Sequence, residues 1–100
     1  MVYIVTRHPG ALAWLEQQGI TGDIYVSHVK SLAPCAGDKI IGTLPLELAA
    51  KVCEAGARYF HISLDIPACW RGVELSVEQM QQCNARLVEF IAFRKAEITG

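Results

Sequence analysis

Val2-Tyr3-Ile4-Val5-Thr6-Arg7-His8-Pro9-Gly10-Ala11-Leu12-Ala13-Trp14-Leu15 stands at the head of a 100-residue chain. Its first four residues are apolar, β-branched or aromatic, the composition of a buried strand. Three polar residues and Pro-Gly follow. Ala11, Leu12, Trp14 and Leu15 then recur at helical spacing. The stretch therefore predicts a strand, a tight loop and a helix start. At such a junction the first helical N–H groups lack partners and the helix dipole is positive. Arg7 and His8 put a cation and a titratable imidazole beside that backbone, an arrangement suited to a phosphate. Pro-Gly between polar residues is also ordinary turn chemistry, so the loop alone does not decide the matter.

The rest of the chain repeats the pattern. The first helix is expected from Pro9 to Gln18, stopped by Gly19. Asp23 to His28 reads as a second strand, and His28 at its end is left unassigned. Lys39 to Thr43 reads as a third, leading through Leu44-Pro45 into a helix with Leu44, Leu48, Val52 and Ala55 on one stripe and Gly56 at its end. Thr43 is placed at the N-cap of that helix. Arg58 to Leu64 reads as a fourth strand, with His61 as a hydrogen-bonded core histidine. Ser76 and Gln79 form a capping box, with Leu75 and Met80 as a hydrophobic staple. They start a last helix whose inner stripe is Met80, Leu87 and Ile91, with Asn84 between them. Strands alternating with crossover helices predict one α/β domain over residues 1–100. It is a small Rossmann-like fold, a mainly parallel sheet of about four strands flanked by about three helices.

Open parallel sheets bind ligands beyond the carboxyl ends of their strands, where strand order reverses. Three strand ends carry polar, turn-forming sequence: Thr6-Arg7-His8-Pro9-Gly10, Gly42-Thr43-Leu44-Pro45 and Ser63-Leu64-Asp65-Ile66-Pro67. Parallel geometry brings all three to one edge. Arg7 and His8 are the catalytic candidates. Thr6, Pro9, Gly10, Ala11, Gly42, Thr43, Ser63 and Asp65 are the binding candidates, with Asp65 the only acid close to a motif strand end. Trp14 falls on a helix stripe and reads as core. Trp70, in a loop beside Arg71, is free to stack on a base, and both join the binding candidates.

Composition narrows the classes further. The chain is 52% hydrophobic and 19% charged with a net charge of −1, and its mean hydropathy is +0.27. No sequence-wide basic field exists to hold long nucleic acid, so an anionic ligand needs a local site. The modest apolar excess suggests a buried subunit interface. No apolar run reaches the roughly 18 residues of a membrane span, and the opening strand lacks the pattern of a secretory signal. Cys35, Cys53, Cys69 and Cys83 show no metal-ligand spacing. They read as small hydrophobes in a reduced, cytoplasmic protein. Neither a metal nor a cofactor is expected.

The residues Ile4 to Leu15, Gly37-Asp38-Lys39-Ile40-Ile41-Gly42-Thr43-Leu44-Pro45 and Ser63-Leu64-Asp65-Ile66-Pro67-Ala68 resemble a small CRISPR-associated family. It is the sixteenth of the families designated Csx, encoded with type III systems. The likeness runs nearly end to end and is weakest over residues 29–36. It implies a ring nuclease that linearises cyclic oligoadenylate, most simply cyclic tetra-adenylate, and so switches off antiviral signalling. It also implies kinship with CARF-type Rossmann sensors, which bind the ring across a homodimer. The chemistry of that class is attack of a ribose 2′-hydroxyl on the adjacent phosphate, without a metal. Two other classes fit parts of the sequence. One is a non-catalytic protein that sequesters the ring. The other is a histidine phosphatase, suggested by Thr6-Arg7-His8 after a first strand; Pro9 in place of that superfamily's glycine and the short chain argue against it.

Overall fold

The computed structural model describes residues 1–27 and 33–99. Among the described residues, five strands form one sheet: β1 (Val2–Val5), β2 (Ile24–Val26), β3 (Lys39–Gly42), β4 (Arg58–Ser63) and β5 (Arg86–Phe90). Their spatial order is β2-β1-β3-β4-β5. The first four are parallel, and β5 runs antiparallel beside β4. Helices α1 (Pro9–Gln17), α2 (Leu46–Glu54) and α3 (Val77–Gln82) cover the sheet, and Ala68–Trp70 is a single 3₁₀ turn. The α/β class, the mainly parallel sheet and the flanking helices follow the sequence reading, with one strand more than expected, and the arrangement is compatible with a Rossmann-like fold.

Alternation along the strands sorts side chains into two cores. Ile4, Ile41 and Ile62 face α1 and α3, packing with Ala11, Trp14, Leu15 and Met80. Val5, Ile40 and Tyr59 face α2, packing with Leu44, Ala49 and Val52. Trp14 is a core residue, as its place on the helix stripe predicts. In α2 the buried stripe is Ala49, Ala50 and Val52, and Ala55, expected on that stripe, is exposed. The N-cap of α2 is Pro45, two residues beyond the expected Thr43, and no side chain caps that helix. Proline suits the position because it has no N–H to leave unpaired.

The last helix is much shorter than the sequence suggests. Its start is as read: Ser76 Oγ accepts the Gln79 N–H at 3.2 Å, and the Ser76 N–H reaches Gln79 Oε1 at 3.0 Å. It ends at Gln82, because Asn84 adopts a left-handed φ of 56°. The Ala85 N–H then bonds the Met80 carbonyl at 3.1 Å and the Asn84 N–H the Gln81 carbonyl at 3.1 Å. This is the Schellman closure, with asparagine in the place glycine usually takes. Gly19 and Gly56, at φ 73° and 84°, end α1 and α2 in the same way. Beyond Asn84 the chain reverses, and Arg86–Phe90 pairs with β4, Ser63 opposite Arg86 and Tyr59 opposite Phe90. Leu87 is therefore a strand residue packed under α1 and α3, and Ile91 is exposed. The added strand covers what would be an open edge of β4. Arg58 clamps the pair, gripping Glu89 through two bonds of 2.7 and 2.9 Å.

Asn84→Val is expected to destabilise the fold by about 1–2 kcal/mol, since a β-branched residue resists the left-handed conformation. Asn84→Gly is expected to change stability little. Chemical denaturation of the two variants measures the difference.

Candidate functional site

The helix following β1 returns to β2 on one face of the sheet, and the helix following β3 returns to β4 on the other. Strand order therefore reverses between β1 and β3. That is the place where a parallel sheet opens a crevice at its carboxyl edge. The register pairs Val5 with Gly42, so Thr6 and Thr43 leave the sheet side by side. Gly42 is required for that closeness. A Cβ on it would lie 2.5 Å from the Val5 carbonyl oxygen.

Two adjoining cavities occupy the crevice and share Thr6, His8 and Thr43. One, of about 260 Å³, is the polar half, with Arg7 and Ser27 completing its wall. The other, of about 220 Å³, is the apolar half, walled by Ala11, Ile62, Leu64, Ile66 and Met80, with Glu74 at its side. A further depression places Gly72, Val73 and Glu74 opposite Arg7 and His8. Arg7 and His8 are both exposed. Among the described residues no carboxylate forms an ion pair with Arg7, so its charge faces the cleft and solvent.

The helix N-terminus offers less to an anion than the sequence implies. His8 is the N-cap, with Pro9 in the first turn. The His8 N–H donates to Thr6 Oγ1 at 3.2 Å. The Ala11 N–H is already bonded to the His8 carbonyl at 3.1 Å. Pro9 has no N–H, so of the two backbone donors at this turn, Gly10 and Ala11, only that of Gly10 is unpaired. A side chain at Gly10 would place its Cβ 2.0 Å from the Leu75 carbonyl oxygen. Close packing of α1 against the segment before α3 therefore explains this glycine. An anion in the cleft must draw mainly on Arg7 and on the hydroxyls of Thr6, Thr43 and Ser27.

The structure brings together Thr6, Arg7, His8, Ala11 and Thr43, and sets Pro9, Gly10 and Gly42 in the backbone beneath them. It does not bring in Ser63, Asp65, Trp70 or Arg71. Asp65 is turned to the far side, where it receives Arg86 and Asn84 at 3.3 Å each, while its N–H donates to the Cys83 carbonyl at 2.7 Å. It pins the end of β4 to the turn before β5. Ser63 lies on the same face of β4 as Tyr59 and His61, so the even-numbered Ile62, Leu64 and Ile66 line the cleft instead. Trp70 and Arg71 stand outside its wall. Glu74 and Ser27 are additions to the site. Asp65 was expected as the only acid close to a motif strand end, and the acid that lines the cleft is Glu74, from the segment before α3. The signal for it was available, since the segment entering a capped third helix must start from the same edge. His28 lies outside the described residues.

On the α2 face, Tyr59 Oη accepts the Leu44 N–H at 2.8 Å and lies 2.6 Å from His61 Nδ1. His61 is thus the hydrogen-bonded histidine expected, though half-buried. Burial holds its imidazole below the ordinary histidine range and raises the Tyr59 hydroxyl. Among the described residues no group of three His, Cys, Asp or Glu side chains is placed to hold a metal ion.

The family described as "Putative CRISPR-associated protein (Cas_VVA1548)" matches residues 3–92. The chain belongs to that family. The matched span contains every strand but the first residue of β1, all three helices and the whole cleft. Neither curated proteins nor solved structures provide a match. No helix among the described residues is long and apolar enough to cross a membrane.

Gly10→Ala is expected to lower stability by about 1–3 kcal/mol through overpacking, even without any ligand. A thermal melt of the free protein measures it.

Proposed function

We propose that this CRISPR-associated protein is a ring nuclease of type III defence. It binds cyclic oligoadenylate, cyclic tetra-adenylate in the first instance, and linearises it to end the antiviral signal. The observation that carries this reading is the division of the switch-point cleft. A cation, an imidazole and three hydroxyls line one half, and an apolar wall lines the other. A nucleotide presents the same division, with an anionic phosphate beside a flat, largely apolar base.

In the proposed reaction the ribose 2′-hydroxyl attacks the adjacent phosphorus. The P–O5′ bond breaks, leaving a 2′,3′-cyclic phosphate and a free 5′-hydroxyl. Arg7 binds the non-bridging oxygens and the charge they gain in the transition state. His8 either accepts the 2′-hydroxyl proton or protonates the departing 5′-oxygen, a contribution of about 10²–10⁴-fold. Glu74 is a second titratable group across the cleft, so acid and base need not be the same residue. Holding the attacking oxygen in line with the leaving group supplies as much rate or more. No step draws on a metal or a cofactor. The symmetry of a cyclic tetranucleotide suits a homodimer whose two-fold axis passes through the site.

Purified protein incubated with cyclic tetra-adenylate is expected to yield linear products ending in 2′,3′-cyclic phosphate, with or without EDTA. Binding without turnover would leave a sequestering protein, and activity that needs added magnesium or manganese would overturn the mechanism. Arg7→Ala is expected to weaken binding and slow cleavage together. His8→Ala is expected to keep affinity while single-turnover cleavage falls about 10²-fold or more. A folded His8→Ala protein that cleaves like the parent would leave alignment as the main source of rate. Light scattering with and without ligand tests the dimer.

A further inference from the structure

Tyr59 and His61 lie two residues apart on β4 and so project to one face of the sheet. The Tyr59 hydroxyl meets three groups. It accepts the Leu44 N–H at 2.8 Å, stands 2.6 Å from His61 Nδ1, and stands 3.3 Å from the Gly42 carbonyl oxygen. Gly42 and Leu44 flank Thr43, which lines both halves of the cleft. The phenol is buried, with Tyr59 only 3% exposed. The backbone on either side of Thr43 is therefore held by an oxygen that approaches the sheet from the opposite face.

A phenol has one proton and two lone pairs. When neutral His61 accepts at Nδ1, it takes that proton, and the oxygen still receives the Leu44 N–H. When Nδ1 carries a proton, it donates to the phenol, whose own proton must turn to the Gly42 carbonyl. Both arrangements are complete in hydrogen bonds, but only the second grips both ends of the turn. The surroundings leave few other influences on His61. The groove over it is lined by Leu44, Leu46, Ala49, Phe90, Ile91, Ala92 and Phe93, and the Phe90 ring meets the imidazole edge-on at 5.8 Å. No charged side chain among the described residues lines that groove. Glu47, Lys51, Glu54 and Arg94 line the adjoining cavity along α2, which shares only Leu46 and Phe93 with this groove. Among the described residues, Tyr59 is the one other titratable group lining that groove.

We propose that Tyr59 is a positioning residue for the cleft, holding Thr43 in place through Gly42 and Leu44, and that His61 sets the direction of its hydroxyl. The effect on ligand rests on the cyclic oligoadenylate reading given above, whereas the effect on the turn does not.

The test follows the Gly42, Thr43 and Leu44 amides of the full chain by NMR, from about pH 8 to about pH 5, in the parent, Tyr59→Phe and His61→Asn. In the parent, these amides are expected to shift together with His61, with a midpoint below the usual 6.5. The unfolded chain takes up that proton first, so stability is also expected to fall as pH drops below 6.5. His61→Asn retains an acceptor near Nδ1, and is expected to bind cyclic tetra-adenylate like the parent but to lose the pH step. Tyr59→Phe is expected to speed Leu44 amide exchange and weaken binding, each by about tenfold. A merely structural tyrosine would lower the melting temperature while leaving the turn's pH step in place. Turn amides that stay still while His61 titrates would overturn the proposal, as would parent-like Leu44 exchange in Tyr59→Phe. Should Tyr59→Phe fail to fold, the step in the parent and its loss in His61→Asn decide the question. A parent protein that does not bind cyclic tetra-adenylate defeats the functional reading, and the amide measurements still decide this one.

Discussion

Pairing of β1 on both sides, with β2 on one edge and β3 on the other, compels the chain to cover both faces of its sheet. Crossover connections between parallel strands keep one hand. The helix leading toward β2 and the helix leading toward β4 must therefore fall on opposite faces. They diverge where Thr6 and Thr43 leave the sheet. The cleft follows from strand order, and its lining follows from whichever residues occupy those two exits. Gly42 sharpens the arrangement, because only a residue without Cβ lets the end of β3 lie so near the Val5 carbonyl.

The two halves of the cleft have different physical origins. The apolar half extends the α1 and α3 core, since Ile62, Ala11 and Met80 belong to both. The polar half is built from loop residues whose side chains have little else to hold. With the Ala11 amide spent on the His8 carbonyl, the helix end provides a weaker cradle than glycine-rich phosphate loops do. Side chains must make up the difference. In the proposed reading that places the weight on the Arg7 guanidinium, whose planar fork suits phosphate oxygens better than an ammonium would.

The fold was legible in the sequence wherever a residue type had one structural meaning. Gly19 and Gly56 announced helix ends, and Ser76 with Gln79 announced a start. Asn84 performs the same task as those glycines, but asparagine also sits within helices, and Met80, Leu87 and Ile91 happen to fit a helical stripe. The hidden reversal cost the reading a whole strand. In the site, Thr6, Arg7, His8 and Thr43 were legible because strand ends converge by rule. Ser63 and Asp65 stand outside the cleft lining for a reason of parity: once His61 is assigned to one face of β4, Ser63 must share it. Glu74 escaped notice because its segment approaches the edge from a helix start rather than from a strand end.

The seam between β1 and β3 joins residues farther apart along the chain than any other pairing in the sheet, Val2 with Lys39. Loop closure disfavours such contacts in the early stages of folding. The β1–β2 and β3–β4 units each close over a shorter span. A chain part-way through assembly would therefore hold two small sheets with an unzipped middle, Thr6 on one and Thr43 on the other. In that state there is no crevice at all. The crevice is complete only when the β1–β3 seam, the pairing with the longest separation along the chain, has closed.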